Sequence, residues 1–204
     1  MTDRAVIEER ENGPLVVKGL GRMTGPNGED IEVKEVMALC RCGASANKPF
    51  CDGSHQKNGF ESRGGTPAGK DALLPYKGAE ATVLYNPRLC SHAAECNRLA
   101  PNVFDATKRP WVQPDAGSVA DIETVVRACP SGALQLADRG HLLADGAEIT
   151  VQKDGPCWVA GPEIKTEMAG DGATKDKFVL CRCGLSGNKP YCDGSHRDAG
   201  WKAD

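Results

Sequence analysis

The sequence predicts an α+β fold made of two small β-rich modules, one near each end of the chain, and a separate α+β unit set between them. Three observations lead there. One cysteine-rich stretch occurs twice, Cys40 to His55 and again Cys181 to His196, without a gap in either copy. The 204-residue chain is 40% hydrophobic and only 5% aromatic, a thin supply for one large core. Its ten cysteines offer the metal-based support that units of about 60 residues usually need.

The elements follow in order. Asn12-Gly-Pro-Leu-Val-Val-Lys-Gly19 opens the first module, and Asp154-Gly-Pro-Cys-Trp-Val-Ala-Gly161 opens the second in the same way. Each is a Gly-Pro turn leading into a short apolar strand, Leu15–Val17 or Cys157–Val159. A further strand, Val36–Leu39 or Phe178–Leu180, ends directly on the first motif cysteine. Asn-Lys-Pro is a turn signal, because proline fixes its own φ and biases its predecessor away from the helix. Asp52 or Ser54 is then placed to cap about two helical turns that stop at Gly59, and Asp193, Ser195 and Gly200 repeat the arrangement. Between the modules, Thr82–Tyr85 reads as a strand, His92–Ala100 as a helix stopped by Pro101, Ser118–Ala128 as an amphipathic helix and Ala133–Leu136 as a closing strand. The expected division is module 1 over 1–63, a Gly/Pro-rich linker over 64–78, the insert over 79–142 and module 2 over 143–204.

In each module the candidate ligands are spaced Cys-x-Cys, eight residues, then Cys-x3-His. Two cysteines one residue apart can aim both sulfurs at one ion. Cys51 and His55, four apart, fall on one face of a short helix and can chelate another. Two ions with two protein ligands each describe a 2Fe-2S cluster, whereas three Cys and one His is equally a structural zinc set. Ligand chemistry alone leaves both open. Arg41, Lys48 and the backbone N–H groups at Asp52–Gly53–Ser54 are expected to offset the charge of such a centre.

The repeated pattern C-x-C-x2-S-x3-P-x-C-D-G-S-H resembles that of the CDGSH iron–sulfur family, also called NEET proteins, and both copies match it at every fixed position. The resemblance implies one 2Fe-2S cluster on Cys40, Cys42, Cys51 and His55 and a second on Cys181, Cys183, Cys192 and His196. It also implies an internal pseudo-dimer in which the modules share strands in a β-cap, hence a monomer with an internal pseudo-twofold. The insert carries Cys90-x5-Cys96 and, later, Cys129-Pro130-Ser-Gly-Ala, and it resembles divergent single-cluster ferredoxin domains. Against the ferredoxin pattern, Cys90, Cys96 and Cys129 match the first, third and fourth cysteines, and Ala93 stands at the second. Three thiolates favour a 3Fe-4S cluster, and His92 as a further ligand would allow 4Fe-4S. Cys157, at the position of Leu15, is expected to be buried and structural, and Trp111, Trp158 and Trp201 to pack.

The expectation is a multi-cluster one-electron carrier serving a reductase or oxidase. The alternative is cluster storage, transfer to an apo iron–sulfur acceptor, or redox and pH sensing. No nucleophile–base pair or phosphate loop suggests an enzyme. A formal net charge of −3 argues against nucleic acid, and no apolar run approaches the roughly 18 residues of a membrane span. The opening Met1-Thr2-Asp3-Arg4 lacks a signal-peptide pattern, which makes cytoplasmic the expected location. Imidazole, unlike a thiolate, takes up a proton near neutrality and releases a metal. Replacing both histidines, His55→Cys with His196→Cys, should therefore make the centres resist acid and lower their potentials. Visible absorbance during acid titration checks this, and unchanged lability contradicts it.

Overall fold

In the computed structural model, residues 4–143 and 146–203 are described. The first module contributes β1 (Val6–Glu9), β2 (Leu15–Lys18), β3 (Arg22–Thr24), β4 (Asp30–Ile31) and β5 (Val36–Leu39). The insert follows with β6 (Leu74–Lys77), β7 (Thr82–Tyr85), α1 (Glu95–Leu99), α2 (Val119–Ala128) and β8 (Leu134–Leu136). The second module has β9 (Glu148–Val151), β10 (Cys157–Ala160), β11 (Glu163–Ile164), β12 (Lys177–Leu180) and the single turn α3 (Ser195–Asp198). The protein is thus mixed, with many short strands and few helices.

The two modules are built alike. In each, a tight turn joins the first two strands, with Asn12 (φ 47°) or Asp154 (φ 48°) in the left-handed region that Asn and Asp tolerate best. Antiparallel β1–β2–β5 in module 1 corresponds to antiparallel β9–β10–β12 in module 2. Neither set stays separate. β11 leaves module 2 to lie parallel against β1, and β3 leaves module 1 to lie parallel against β9, bringing β4 with it. The sheets therefore run β11-β1-β2-β5 and β12-β10-β9-β3-β4. Alternating side chains Leu15, Val17 and Ile7 meet Ile149, Val151, Val159 and Ile164 in one common core. Each such burial stabilises by roughly 1.5–3 kcal/mol, and two modules this small gain it only jointly.

The insert has its own core. The antiparallel sheet β6-β7-β8 packs on α2, whose buried face is Ile122, Val125 and Val126. Ser118 and Asp121 close a capping box at its start. Where a helix was expected over His92–Ala100, only Glu95–Leu99 is helical, because His92 (φ 57°) and Ala94 (φ 63°) take left-handed conformations that interrupt it. The segment 64–78, expected as linker, ends in β6, which pairs with β7 from Leu74 to Lys77 and so belongs to the insert's sheet. The two helical turns expected after each motif are one turn, Ser54–Gln56 and α3. The expected boundary after residue 142 abuts residues 144 and 145, which lie outside the described ones. Among the described residues no helix is long and apolar enough to cross a membrane.

One lysine ties insert to module 2. Lys177, at the start of β12 and only 5% exposed, donates from Nζ to the carbonyls of Val126 (2.6 Å), Leu142 (2.9 Å) and Arg127 (3.4 Å). It thereby closes the C-terminal turn of α2, the turn that ends on Cys129. Burial pulls its ammonium down to about 8. Lys177→Met should leave buried carbonyls unpaired and cost about 2 kcal/mol or more, read as a lower denaturation midpoint. An unchanged midpoint would mean that this tie contributes nothing.

Candidate metal centres

Each motif folds back on the strand that leads into it. In module 1, Cys40 N–H donates to Pro49 O and Cys51 N–H to Ala38 O, both at 2.8 Å, which sets the third cysteine beside the first two. In module 2, Cys181 with Pro190 and Cys192 with Val179 repeat these bonds at 2.8 Å. The Cys40 and Cys42 sulfurs then lie 3.7 Å apart, and those of Cys181 and Cys183 3.6 Å apart. Cys51 Sγ is 3.4 Å from His55 Nδ1, and Cys192 Sγ is 3.5 Å from His196 Nδ1. Tetrahedral ligation at ordinary bond lengths puts two thiolates about 3.8 Å apart, and a thiolate and an imidazole nitrogen about 3.5 Å apart. All four pairs fit. Among the described residues, no three Cys, His, Asp or Glu side chains converge on a single ion-sized centre.

The other motif residues hold this geometry. Asp52 accepts from Ala46 N–H (2.8 Å) and Ser54 N–H (2.9 Å), and Asp193 accepts from Gly187 N–H (2.8 Å) and Ser195 N–H (3.1 Å). Each carboxylate so fastens the loop before the third cysteine to the turn after it, and these bonds, led by the serine side chain, hold Asp52 well below the usual range. Ser45 donates to Phe50 O (2.7 Å) and Ser186 to Tyr191 O (2.6 Å). Gly53 (φ 88°) and Gly194 (φ 90°) take the sharp turn into the helical residues, a conformation costly for any side chain, and their N–H groups point at Cys51 and Cys192 sulfur.

Arg41 and Lys48 were expected to offset charge at the site, but their side chains bond backbone carbonyls instead. Arg41 is 1% exposed and spends its fork on the Gly13 and Arg10 carbonyls, Ser62 and Glu9, with Phe60 5.2 Å from its guanidinium carbon. Arg182 likewise donates to Gln152 and Gly155 carbonyls at 2.9 Å and lies over Trp201. The arginine of Cys-Arg-Cys alternates away from the sulfurs and clamps the opening hairpin. Lys48 and Lys189 bond the carbonyls of Ser45 and Ser186 at 2.7 Å.

None of the ten cysteines is in a disulfide. The hydrogen bond from Cys183 brings Cys181 down to about 7, while that same bond, then burial, pushes Cys183 up. Burial raises Cys42 and Cys192. Buried thiols crowded in this way resist a second ionisation unless a cation neutralises them. Cys157 is 2% exposed, and burial pushes it to about 11, as suits a structural side chain.

In the insert, Cys90 follows the turn Pro87–Leu89, Cys96 lies in α1 and Cys129 ends α2. All three line one small cavity with His92, Tyr85 and Trp111. Burial and then the neighbouring Cys129 push Cys96 to about 11, and burial raises Cys90. Tyr85 lines the same cavity as Cys90 and packs edge-on against Trp111 at 4.9 Å. Nothing in the spacing singled out Tyr85. Its place on β7, one turn before Cys90, is the only sequence signal. His92, a candidate ligand, also reaches module 2: a Cβ on Gly194 would lie 2.6 Å from its Cδ2.

Comparison with known proteins follows this layout. The family described as "Iron-binding zinc finger CDGSH type" matches residues 12–56 and 154–197, and the one described as "Divergent 4Fe-4S mono-cluster" matches 76–139. The uncharacterized protein YjdI of Escherichia coli strain K12 is 37% identical over 60 residues, covering 29% of this chain and 79% of that protein. The protein of the same name from Escherichia coli O157:H7 gives the same figures.

Asp193→Ala should free the backbone donors of Gly187 and Ser195 together. Loss of these charge-assisted bonds is expected to cost about 2–3 kcal/mol in denaturant unfolding. A cost near zero would show the loop to be held otherwise.

Proposed function

Since the chain belongs to the CDGSH iron–sulfur family, with two such motifs flanking a divergent 4Fe-4S mono-cluster domain, we infer that it is a one-electron carrier with three cluster sites. The paired geometry of the donors carries this reading. Two sulfurs spaced for one ion, next to a sulfur and an imidazole nitrogen spaced for another, suit a dinuclear 2Fe-2S centre better than one zinc ion. Cys40, Cys42, Cys51 and His55 would hold one such cluster, and Cys181, Cys183, Cys192 and His196 the other. Cys90, Cys96 and Cys129 would hold a 3Fe-4S or 4Fe-4S cluster, with His92 beside it.

When bound, such clusters supply reversible one-electron chemistry at potentials set by ligand type, hydrogen bonds and exposure. The chain's own residues set those terms. Backbone N–H groups of Gly53, Gly194 and Leu185 donate to ligand sulfurs, which favours the reduced, more negative state. The imidazoles replace a thiolate at each CDGSH site and remove one negative charge. The strand exchange supports an internal pseudo-dimer, and therefore a monomer that needs no second copy to complete either module.

Iron, zinc and acid-labile sulfide per chain, measured on anaerobically purified protein, test the reading. Two 2Fe-2S clusters with a 3Fe-4S cluster predict about seven irons and eight sulfides, and a 4Fe-4S insert about eight of each. Two or three zinc ions without sulfide would overturn it.

A further inference from the structure

The two CDGSH motifs carry the same ligands but not the same surroundings. In module 2, Cys192 is 3% and Asp193 6% exposed, and His196 is buried. In module 1, Cys51 and His55 are only half-buried and Asp52 is exposed. Two segments outside either motif contribute to the difference. The chain at Gly65–Pro67 crosses the Ser186–Asn188 loop so closely that a Cβ on Gly187 would lie 2.6 Å from the Thr66 carbonyl carbon. From the other side, the insert's Cys90–Cys96 turn lays His92 on Gly194, and Arg197 donates to the His92 carbonyl at 3.1 Å. Asn188 and Tyr191 are tied to the carbonyls of Ala169 and Glu167 as well.

The sequence registers this. Within otherwise matching motifs, module 1 has Ala46, exposed, where module 2 has Gly187. Ala46 shows that the loop itself accepts a side chain at that place. Gly187 is required by what lies over it.

We propose that the 65–67 segment and the His92 turn form a fixed cover over module 2, so that module 1 is the exchangeable centre of the protein and module 2 the retained one. This rests on the reading of both motifs as 2Fe-2S sites. Exchange at module 1 is ligand substitution: an acceptor's thiolates replace the chain's thiolates and imidazole on iron and take the irons together with the inorganic sulfide, whereas a chelator takes the irons alone and the sulfides leave as hydrogen sulfide; in both cases the freed cysteines take up solvent protons and no electron is transferred. His92 acts on module 2 through its bulk, as a positioning residue.

The first test needs no cluster chemistry. Ala46 N–H and Gly187 N–H make the same bond, to Asp52 and Asp193, at the same 2.8 Å. Hydrogen exchange at neutral pH should be slower at Gly187 by about fivefold or more, since only its loop is covered. Equal exchange would overturn the cover. The second test challenges the holoprotein with excess iron chelator at neutral pH, followed by visible circular dichroism and retained iron. Loss of the CDGSH signal should occur in two phases of equal size. Gly187→Ala should speed the slow phase about fivefold or more and leave the fast phase alone, while Ala46→Gly alters neither. One phase, or a slow phase indifferent to Gly187→Ala, would overturn the proposal. His92→Ala should also speed the slow phase and His92→Phe restore it; a slow phase indifferent to both would remove the His92 turn from the cover. If the starting protein holds no sulfide, the 2Fe-2S reading fails, and the amide comparison still decides whether the cover exists.

Discussion

Everything in the two modules depends on the exchange of β3 and β11. Each module by itself offers three short strands and a few apolar side chains, too little to bury a core against the entropy of ordering the chain. Lending one strand across to the other sheet merges the two half-cores into one, with Ile7, Val17 and Leu15 meeting Ile149, Val151 and Val159. The same exchange brings the Cys-x-Cys turns together: a Cβ on Gly184 would sit 2.9 Å from Cys42 O, and a Cβ on Gly43 3.2 Å from Cys183 Cα. The candidate metal-binding ends of the two modules are therefore held by one framework.

On that framework the motif residues divide cleanly by direction. Cys40 and Cys42, like Cys181 and Cys183, alternate toward the candidate site, where the third cysteine and the histidine come from the following turn. Those that alternate away, Arg41 and Arg182, grip the opening hairpins, and the remaining polar residues, Ser45, Asp52 and their counterparts, satisfy backbone groups of the loop. A fixed motif is thus mostly scaffolding around four donor atoms. The insert differs. Its three thiols come from a turn, a short helix and a helix end, and Lys177 fastens the last of these from the neighbouring module.

Much of this was legible in the sequence because the repeat is a strong signal. The central strands, the pairing of the candidate donors within each motif and the helix opened by Ser118 all follow from spacing and patterning. Where sequence reasoning fell short, the reasons are physical. β3, β4 and β11 are only two or three residues long, and β3 and β11 are stabilised by pairing with the distant module rather than by their own residues. The helix expected from His92 starts late because the backbone turns through left-handed conformations there. Arg41 looked like a counter-charge because charge is visible in a sequence and side-chain direction is not. The Ala46/Gly187 difference was visible, but its meaning required the Thr66 carbonyl above it.

The central claim is that each motif places two thiols on one metal and a thiol with an imidazole on the other. Pulsed electron paramagnetic resonance of the chemically reduced His92→Ala protein, grown with and without 15N-histidine, tests it most directly. The account predicts a paramagnetic dinuclear signal carrying a histidine-nitrogen coupling that changes with the label. A reduced protein whose signals show no histidine coupling, or none at all, would contradict it.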